Sequence, residues 1–414
     1  MYSEVFKNKN FLKIWVAQLT SQLAVNFLNF ALIIRVYDLS AQTRYANVAV
    51  SLLILAFGIP SVIFAVLAGS YVDHWDRKKV LVITNIARAV LVLGFLIIGT
   101  NLFLVYLLVF AISVFSQFFT PAEGAALPKI VSKKSFLSAN SLFLFTMYAS
   151  FVLGYSLAGP IVLAFGPSSV YYVTAVAFII ASALCATLPS LRAEKSVKKI
   201  SEINKEVFST IRNSLNQIFT NPRLILPIIN LTIGQAMLGI LAVLAPAIAM
   251  ILFGQSLASV STMLILPAAI GMLFGAITVG QLFKHISKTK VIDAGIMLAS
   301  TMLILLSIVP VLHKLSFFGL IVTAVAFVLG FANGLVGVSA QTLLQLNSTD
   351  EARGKIFGTL NMAMNIAAIV PVLLAGITAD LINPLYALTG AGVLISIYGV
   401  FQHKAFSRLQ LKST

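Results

Sequence analysis

Charge is scarce in this chain: only 10% of its 414 residues are Asp, Glu, Lys or Arg, and just twelve of those are acids. A soluble domain carries roughly a quarter of its residues as charges, so an ordinary aqueous surface is excluded. One cysteine, Cys185, rules out a disulfide or a thiolate metal cluster within one chain. Four histidines, His74, His285, His313 and His403, fall in loops or towards the ends of apolar runs. There is no HExxH pair, no phosphate-binding Walker loop, and no base near Ser156 of Gly154-Tyr-Ser-Leu-Ala-Gly159. Metal-dependent hydrolysis, direct ATP use and serine chemistry each lack a required part. No cofactor or metal site is expected, and the chain is not expected to be an enzyme.

What the chain has in abundance is apolar sequence: 59% hydrophobic residues and a mean hydropathy of +1.01. About twenty apolar residues cross a hydrocarbon core of ~30 Å as a helix, and only helices or closed barrels satisfy their backbone there. Twelve runs of that kind are present, at 11–37, 46–70, 80–99, 102–123, 139–165, 168–189, 223–252, 257–282, 291–313, 316–340, 355–379 and 384–406. The expected fold is all-α, twelve transmembrane helices in two pseudo-symmetric bundles of six. Residues 1–191 form the first bundle, 192–222 a connecting segment and 223–414 the second.

Lys and Arg placement orients the spans, because cytoplasmic loops collect basic residues. With the N-terminus inside, 24 of the 28 Lys and Arg residues fall in cytoplasmic segments. Only Arg35, Arg44 and Lys314 fall outside, and Arg88 lies within the third span. Both termini are therefore expected in the cytoplasm of a bacterial plasma (inner) membrane. The net charge of +16 needs no nucleic-acid partner, since it is spread over seven cytoplasmic segments. The polar start, Met1 to Asn10, carries no cleavage pattern, so the first span is expected to target the chain. In the connecting segment Val197, Ile200, Ile203, Val207, Ile211, Leu215 and Ile218 recur at steps of three and four. That is the pattern of an amphipathic helix lying at the inner membrane surface.

Polar side chains inside spans are costly and face either a cavity or a partner helix. Gln18, Gln22, Asn26 and Asn29 recur at steps of 4, 4 and 3 in span one, which places them on one helical face. This neutral stripe is the leading candidate for the wall of a substrate cavity; interhelical hydrogen bonding is the alternative. Gln117, Asn230, Gln235, Asn333, Asn361 and Asn365 are further candidates in spans four, seven, ten and eleven. A slot lined by amides, Phe, Met and Leu suits an amphipathic or largely apolar solute. Arg88 lies about nine residues past Lys79, roughly 13 Å along a helix, and is expected to pair with Glu123, make carbonyl contacts near Gln117 or hold an anion. Every acid lies in a loop or at a span end, so no midplane carboxyl offers itself for proton transfer.

The loop after span two reads Gly69-Ser-Tyr-Val-Asp73-His-Trp-Asp-Arg77-Lys78-Lys79, and a weaker copy, Gly280 to Lys290, follows span eight. Gly69 is expected where two helices approach closely, Asp73 at a helix end, and Arg77 beside an acid, with Glu123 in position. This loop resembles the signature of the major facilitator superfamily, Gly-x-x-x-Asp-x-x-x-Arg-(Lys/Arg)-(Lys/Arg), and the resemblance runs over essentially the whole chain. Pro121-Ala-Glu-Gly-Ala-Ala-Leu-Pro128, Ser138-Ala-Asn140-Ser and Asp350-Glu-Ala-Arg353-Gly354-Lys355-Ile-Phe-Gly358 resemble the macrolide-efflux and enterobactin-exporter branch. Gly154, Gly159 and Pro160 in span five resemble the family's antiporter motif, although no Gly-Gly pair follows and Gly154 is one residue out of register.

The resemblance implies a secondary transporter that exports a small molecule by alternating access, in exchange for protons. It further implies a cytoplasmic latch of Gly69, Asp73, Arg77 and Glu123, docking near Arg353 and Gly354. Relatives that exchange drugs for protons often carry an acid in span one, where this chain has Asn26; Arg88 and Glu123 are then the coupling candidates. Siderophore or lysophospholipid transport, an uncoupled facilitator and a non-transporting receptor stay open. The expected partners are the solute, membrane lipid and protons, for a monomer without nucleic acid.

Overall fold

In the computed structural model every regular element among the described residues is helical. The description covers residues 2–132, 135–192, 220–254, 261–283, 285–347 and 350–411, with isolated positions of the connecting segment; the side chains of 350–361 and 405–411 fall outside it. The expected amphipathic helix of that segment therefore lies outside the described residues.

A short helix α1 (Tyr2–Lys7) precedes α2 (Lys9–Ser40), α3 (Ala46–Val72), α4 (Arg77–Gly94), α5 (Leu102–Ile130), α6 (Phe136–Phe165) and α7 (Ser169–Ala186). The second half holds α8 (Pro222–Phe253), α9 (Leu266–Gln281, entered through a π-turn at Ser261–Ile265), α10 (Lys288–Ile308), α11 (Phe318–Asn347), α12 (Asp350–Leu381) and α13 (Pro384–Leu411). Eleven of these are long and apolar enough to cross a membrane. The twelfth is α4, whose 18 residues carry Arg77, Lys78, Lys79 and Arg88. At 1.5 Å per residue it is about 27 Å long, close to one hydrocarbon thickness.

Local chemistry sets the helix ends. Asp76 caps α4 by accepting from the Lys78 amide (3.0 Å), and Asn101 caps α5 by accepting from Leu104 (3.2 Å). Gly166 ends α6 with φ +81° and Gly254 follows α8 with φ +75°, a region that favours glycine. Prolines 60, 121, 128, 160, 227, 246 and 371 sit inside helices, as lipid-embedded helices allow. Large apolar side chains face outward, among them Ile97 (86% exposed), Phe165 and Val311. In water such a surface would aggregate; in lipid it is the solvated one.

Contacts divide the chain into two units. One comprises Met1–Leu32 with Leu55–Arg212, the other Ile33–Ile54 with Asn213–Thr414. The ends of α2 and α3 nearest their connecting turn thus group with the second half. In the first unit, α4 packs against α5 and α7 around Leu81, Phe119, Ala122, Ala181 and Cys185. In the second, α9 and α11 meet backbone to backbone. A Cβ on Gly330 would strike the Ala268 carbonyl, and one on Gly271 the Phe327 carbonyl. Paired small residues at i and i+4 (Gly271 with Gly275, Gly330 with Gly334) permit this close crossing without a hydrophobic drive between helices.

Candidate functional site

The polar face of α2 has tied positions at its ends and open ones between them. Gln18 is buried, and its Nε2 donates to the Phe143 carbonyl of α6 (3.3 Å). Trp15 adds a second tie, its Nε1 donating to Thr146 Oγ1 at 2.7 Å. Gln22 and Asn26, one and two turns on, are half-buried, and no hydrogen bond of their side chains is found among the described residues. Asn29 hydrogen-bonds the Tyr155 hydroxyl through its side chain, and its buried Oδ1 has no hydrogen-bond partner. Tyr155 packs against Phe30 and Phe151, with ring centroids 5.6 and 4.6 Å away.

Gly154 brings these rings and amides together. A Cβ there would lie 2.6 Å from Asn26 Cβ and 3.0 Å from the Phe27 nitrogen, so α6 crosses α2 at the middle of the stripe. Gly159 is buried and Pro160 exposed on the same helix. Two amides without a described hydrogen bond, Gln22 and Asn26, thus border an aromatic cluster to which Asn29 is tied.

The other sequence candidates separate. Asn230 is fully buried, donating to the Leu226 carbonyl (2.8 Å) and accepting from the Tyr398 hydroxyl (3.2 Å). Asn333 Nδ2 donates to the Gly234 carbonyl at 3.3 Å, joining α11 to α8. These two, like Gln18, are hydrogen-bonded to neighbouring helices. Gln117 bonds within its own helix to the Ser113 carbonyl, and Gln235 is exposed on α8. Asn365 is half-buried on α12, and the side chain of Asn361 lies outside the described residues.

Arg88 is fully buried in the core of the first unit. Its guanidinium lies between the rings of Phe119 and Phe178, 4.4 and 4.6 Å from their centroids. Nε donates to the Thr84 carbonyl (3.2 Å) and Nη2 to Asn85 Oδ1 (2.8 Å). Desolvated cation–π contacts contribute about 2 kcal/mol each. Glu123, one turn beyond Phe119 on α5, is buried within electrostatic range of Arg88; the two make no direct hydrogen bond, and Glu123 Oε1 has no partner. The expected pairing is therefore an attraction between neighbours, with aromatic faces and a side-chain amide holding the cation.

These elements carry a familial signature. Residues 14–401 match the sequence profile of the Major Facilitator Superfamily. The chain belongs to that superfamily. Among curated proteins it is 24% identical over 407 residues to the uncharacterised MFS-type transporter YfiS of Bacillus subtilis, covering 97% of this chain and 94% of that one. It is 31% identical over 156 residues to YkuC of the same organism, 36% of this chain and 35% of that one. Among solved structures it resembles the nucleoside transporter NupG (TM-score 0.74, 12% identity, 96% and 98% of the two chains). It also resembles a bacterial homologue of the human lysosomal transporter Spinster (TM-score 0.75, 12% identity, 97% and 98%). At such identities the structures speak for the fold alone.

In this superfamily member the motif loop departs from expectation at Arg77. Among the described residues a Cβ on Gly69 would meet nothing within 4 Å; its carbonyl accepts from the Asp73 amide (3.1 Å) and closes the last turn of α3. Arg77 does not pair with Glu123. Its Nη1 donates to the Arg192 carbonyl (3.1 Å), its own amide to the Leu191 carbonyl (3.3 Å), and Lys129 Nζ reaches the same Arg192 oxygen at 2.8 Å. The reason is spatial: Leu188 and Leu191 are buried, and this anchors the chain beyond α7 beneath α4 and α5. Arg77 and Lys129 both meet the Arg192 backbone oxygen there. The side chains of Arg353 and Gly354, the expected dock, lie outside the described residues.

Sequence reasoning missed Phe119, Phe178, Asn85 and Tyr155. Asn85 and Arg88, three residues apart on one helix, are the one such pairing visible in the sequence.

Proposed function

We propose that this transporter exports amphipathic or largely apolar small molecules by alternating access, in exchange for protons. The reading rests on the open part of the α2 stripe: Gln22 and Asn26 offer amides with no side-chain hydrogen bond among the described residues, beside the cluster of Phe30, Phe151 and Tyr155 to which Asn29 is hydrogen-bonded. Neutral donors and acceptors next to aromatic rings fit a solute with a few polar groups on an apolar frame. The contact of Gly154 with Asn26 puts a residue of the antiporter-like motif against that stripe and supports export. Motif resemblance further supports the macrolide-efflux and enterobactin-exporter branch. Basic residues concentrated at one end of the spans support cytoplasmic termini, and the Bacillus relatives support a bacterial plasma membrane.

For coupling we assign the proton to Glu123, a buried carboxyl with an unpartnered oxygen and a fixed cation nearby. Efflux of a fluorescent amphipathic dye from loaded cells is the test. A protonophore should halt it, and Glu123→Gln should leave dye exchange across the membrane while abolishing uphill export. Export unaffected by loss of the proton gradient would remove the coupling.

A further inference from the structure

The first helical turn of α3 lacks a cap of its own. Tyr45, the residue before it, carries no side-chain acceptor suited to free amides, whereas Ser, Thr, Asp or Asn fills that position in a self-capped helix. The missing acceptor comes from 333 positions away. Asp380, in the last turn of α12, accepts from the Asn47 amide (3.0 Å), the Asn47 Nδ2 (2.7 Å) and the Val48 amide (2.8 Å). A carboxylate at a helix N-terminus gains from both the hydrogen bonds and the helix dipole.

The seam continues along α12. Gly376, one turn before Asp380, has room for no Cβ: it would strike Ser51 Oγ and lie 2.9 Å from the Asn47 carbonyl. One turn further back, the Val372 carbonyl accepts from Ser51 Oγ (3.2 Å), and Ser51 is wholly buried. Val372, Gly376 and Asp380 are thus one face of α12, and Asn47 and Ser51 one face of α3. This contact lies at the end of α3 opposite the motif loop, and it draws Ile33–Ile54 into the unit formed by the second half of the chain.

We propose that Asp380 is the positioning residue of an outer gate. Its carboxylate caps α3 while the gate is shut, and the three hydrogen bonds part when the slot opens at that end. Resting on the alternating-access reading, the inference adds the residue that sets the balance between the two states. Carboxylate capping suits the task because water can take the place of Asp380 on the first-turn amides of α3 once the seam parts, so the seam closes reversibly.

The test reads gate position without transport. Ser51→Cys places a near-isosteric thiol in the seam, and the native Cys185 is fully buried and gives the background. In intact cells a membrane-impermeant maleimide should label the introduced thiol slowly when Ser51→Cys is the sole change. Labelling should be about tenfold faster when Asp380→Ala is added, and similarly with Gly376→Val, which wedges the seam while leaving the carboxylate in place. Asp380→Glu should restore part of the protection. Membrane abundance and detergent-extracted monodispersity show which variants fold. Equal labelling rates in the Ser51→Cys protein and in whichever of the two added variants folds would overturn the gate. Faster labelling with no dye efflux from the unmodified protein would uphold the seam as a gate and sink the transport reading instead; intact efflux with unchanged labelling would do the reverse.

Discussion

Replacing Arg88 with methionine is expected to destabilise the first unit by about 3–5 kcal/mol, the range for removing one member of a buried charged group. Methionine keeps much of the volume between Phe119 and Phe178, so the loss comes from chemistry rather than from a cavity. It strips Asn85 Oδ1 of its donor and leaves Glu123 buried without a compensating cation. Arg88→Lys keeps the charge but loses the planar stacking and the two-atom hydrogen bonding, and should fall between the two. Thermal unfolding of the purified protein in detergent measures this directly. A methionine variant as stable as the parent would mean that the cation is held for something other than packing.

The second large effect concerns the stripe. The Gln22→Ala, Asn26→Ala double variant should lose at least about fivefold in dye efflux, since each lost hydrogen bond to solute contributes about 0.5–1.5 kcal/mol. Its folding should be unaffected, because neither side chain has a described hydrogen-bond partner and alanine keeps the Cβ that meets Gly154. Gln18→Ala is the contrasting control. It breaks the α2–α6 tie to Phe143 and should lower stability more than efflux per folded molecule. Equal efflux in the double variant and the parent, at matched abundance, would place the solute elsewhere.

How much of this was legible in advance differs by kind of feature. The spans were, because lipid forces every crossing segment into an apolar helix, and the ends of α3, α6, α8 and α13 fall within a few residues of the hydropathy boundaries. The period of the α2 stripe was legible too, but not its division. Gln18 and Gln22 look alike in sequence, and only the position of Phe143 decides that one is tied and the other open. Arg88 was recognisable as a buried cation, while its aromatic faces were not, since Phe119 and Phe178 are two among thirty phenylalanines.

Long-range backbone contacts were the least legible. Arg77 meets the Arg192 carbonyl, and Asp380 meets amides at Asn47 and Val48; every residue offers such groups, so no residue type announces them. What the sequence did hold was the gap: a helix beginning after Arg44-Tyr45 with no capping residue.

The central claim is that a neutral slot beside α2 is exposed alternately to the two sides of the membrane. A single cysteine at position 26 in a Cys185→Ser background, probed with impermeant maleimides, tests it most directly. The account predicts labelling from either face of oriented vesicles, with dye protecting it from both. Labelling from neither face, or from one face alone even with Asp380→Ala, would contradict it.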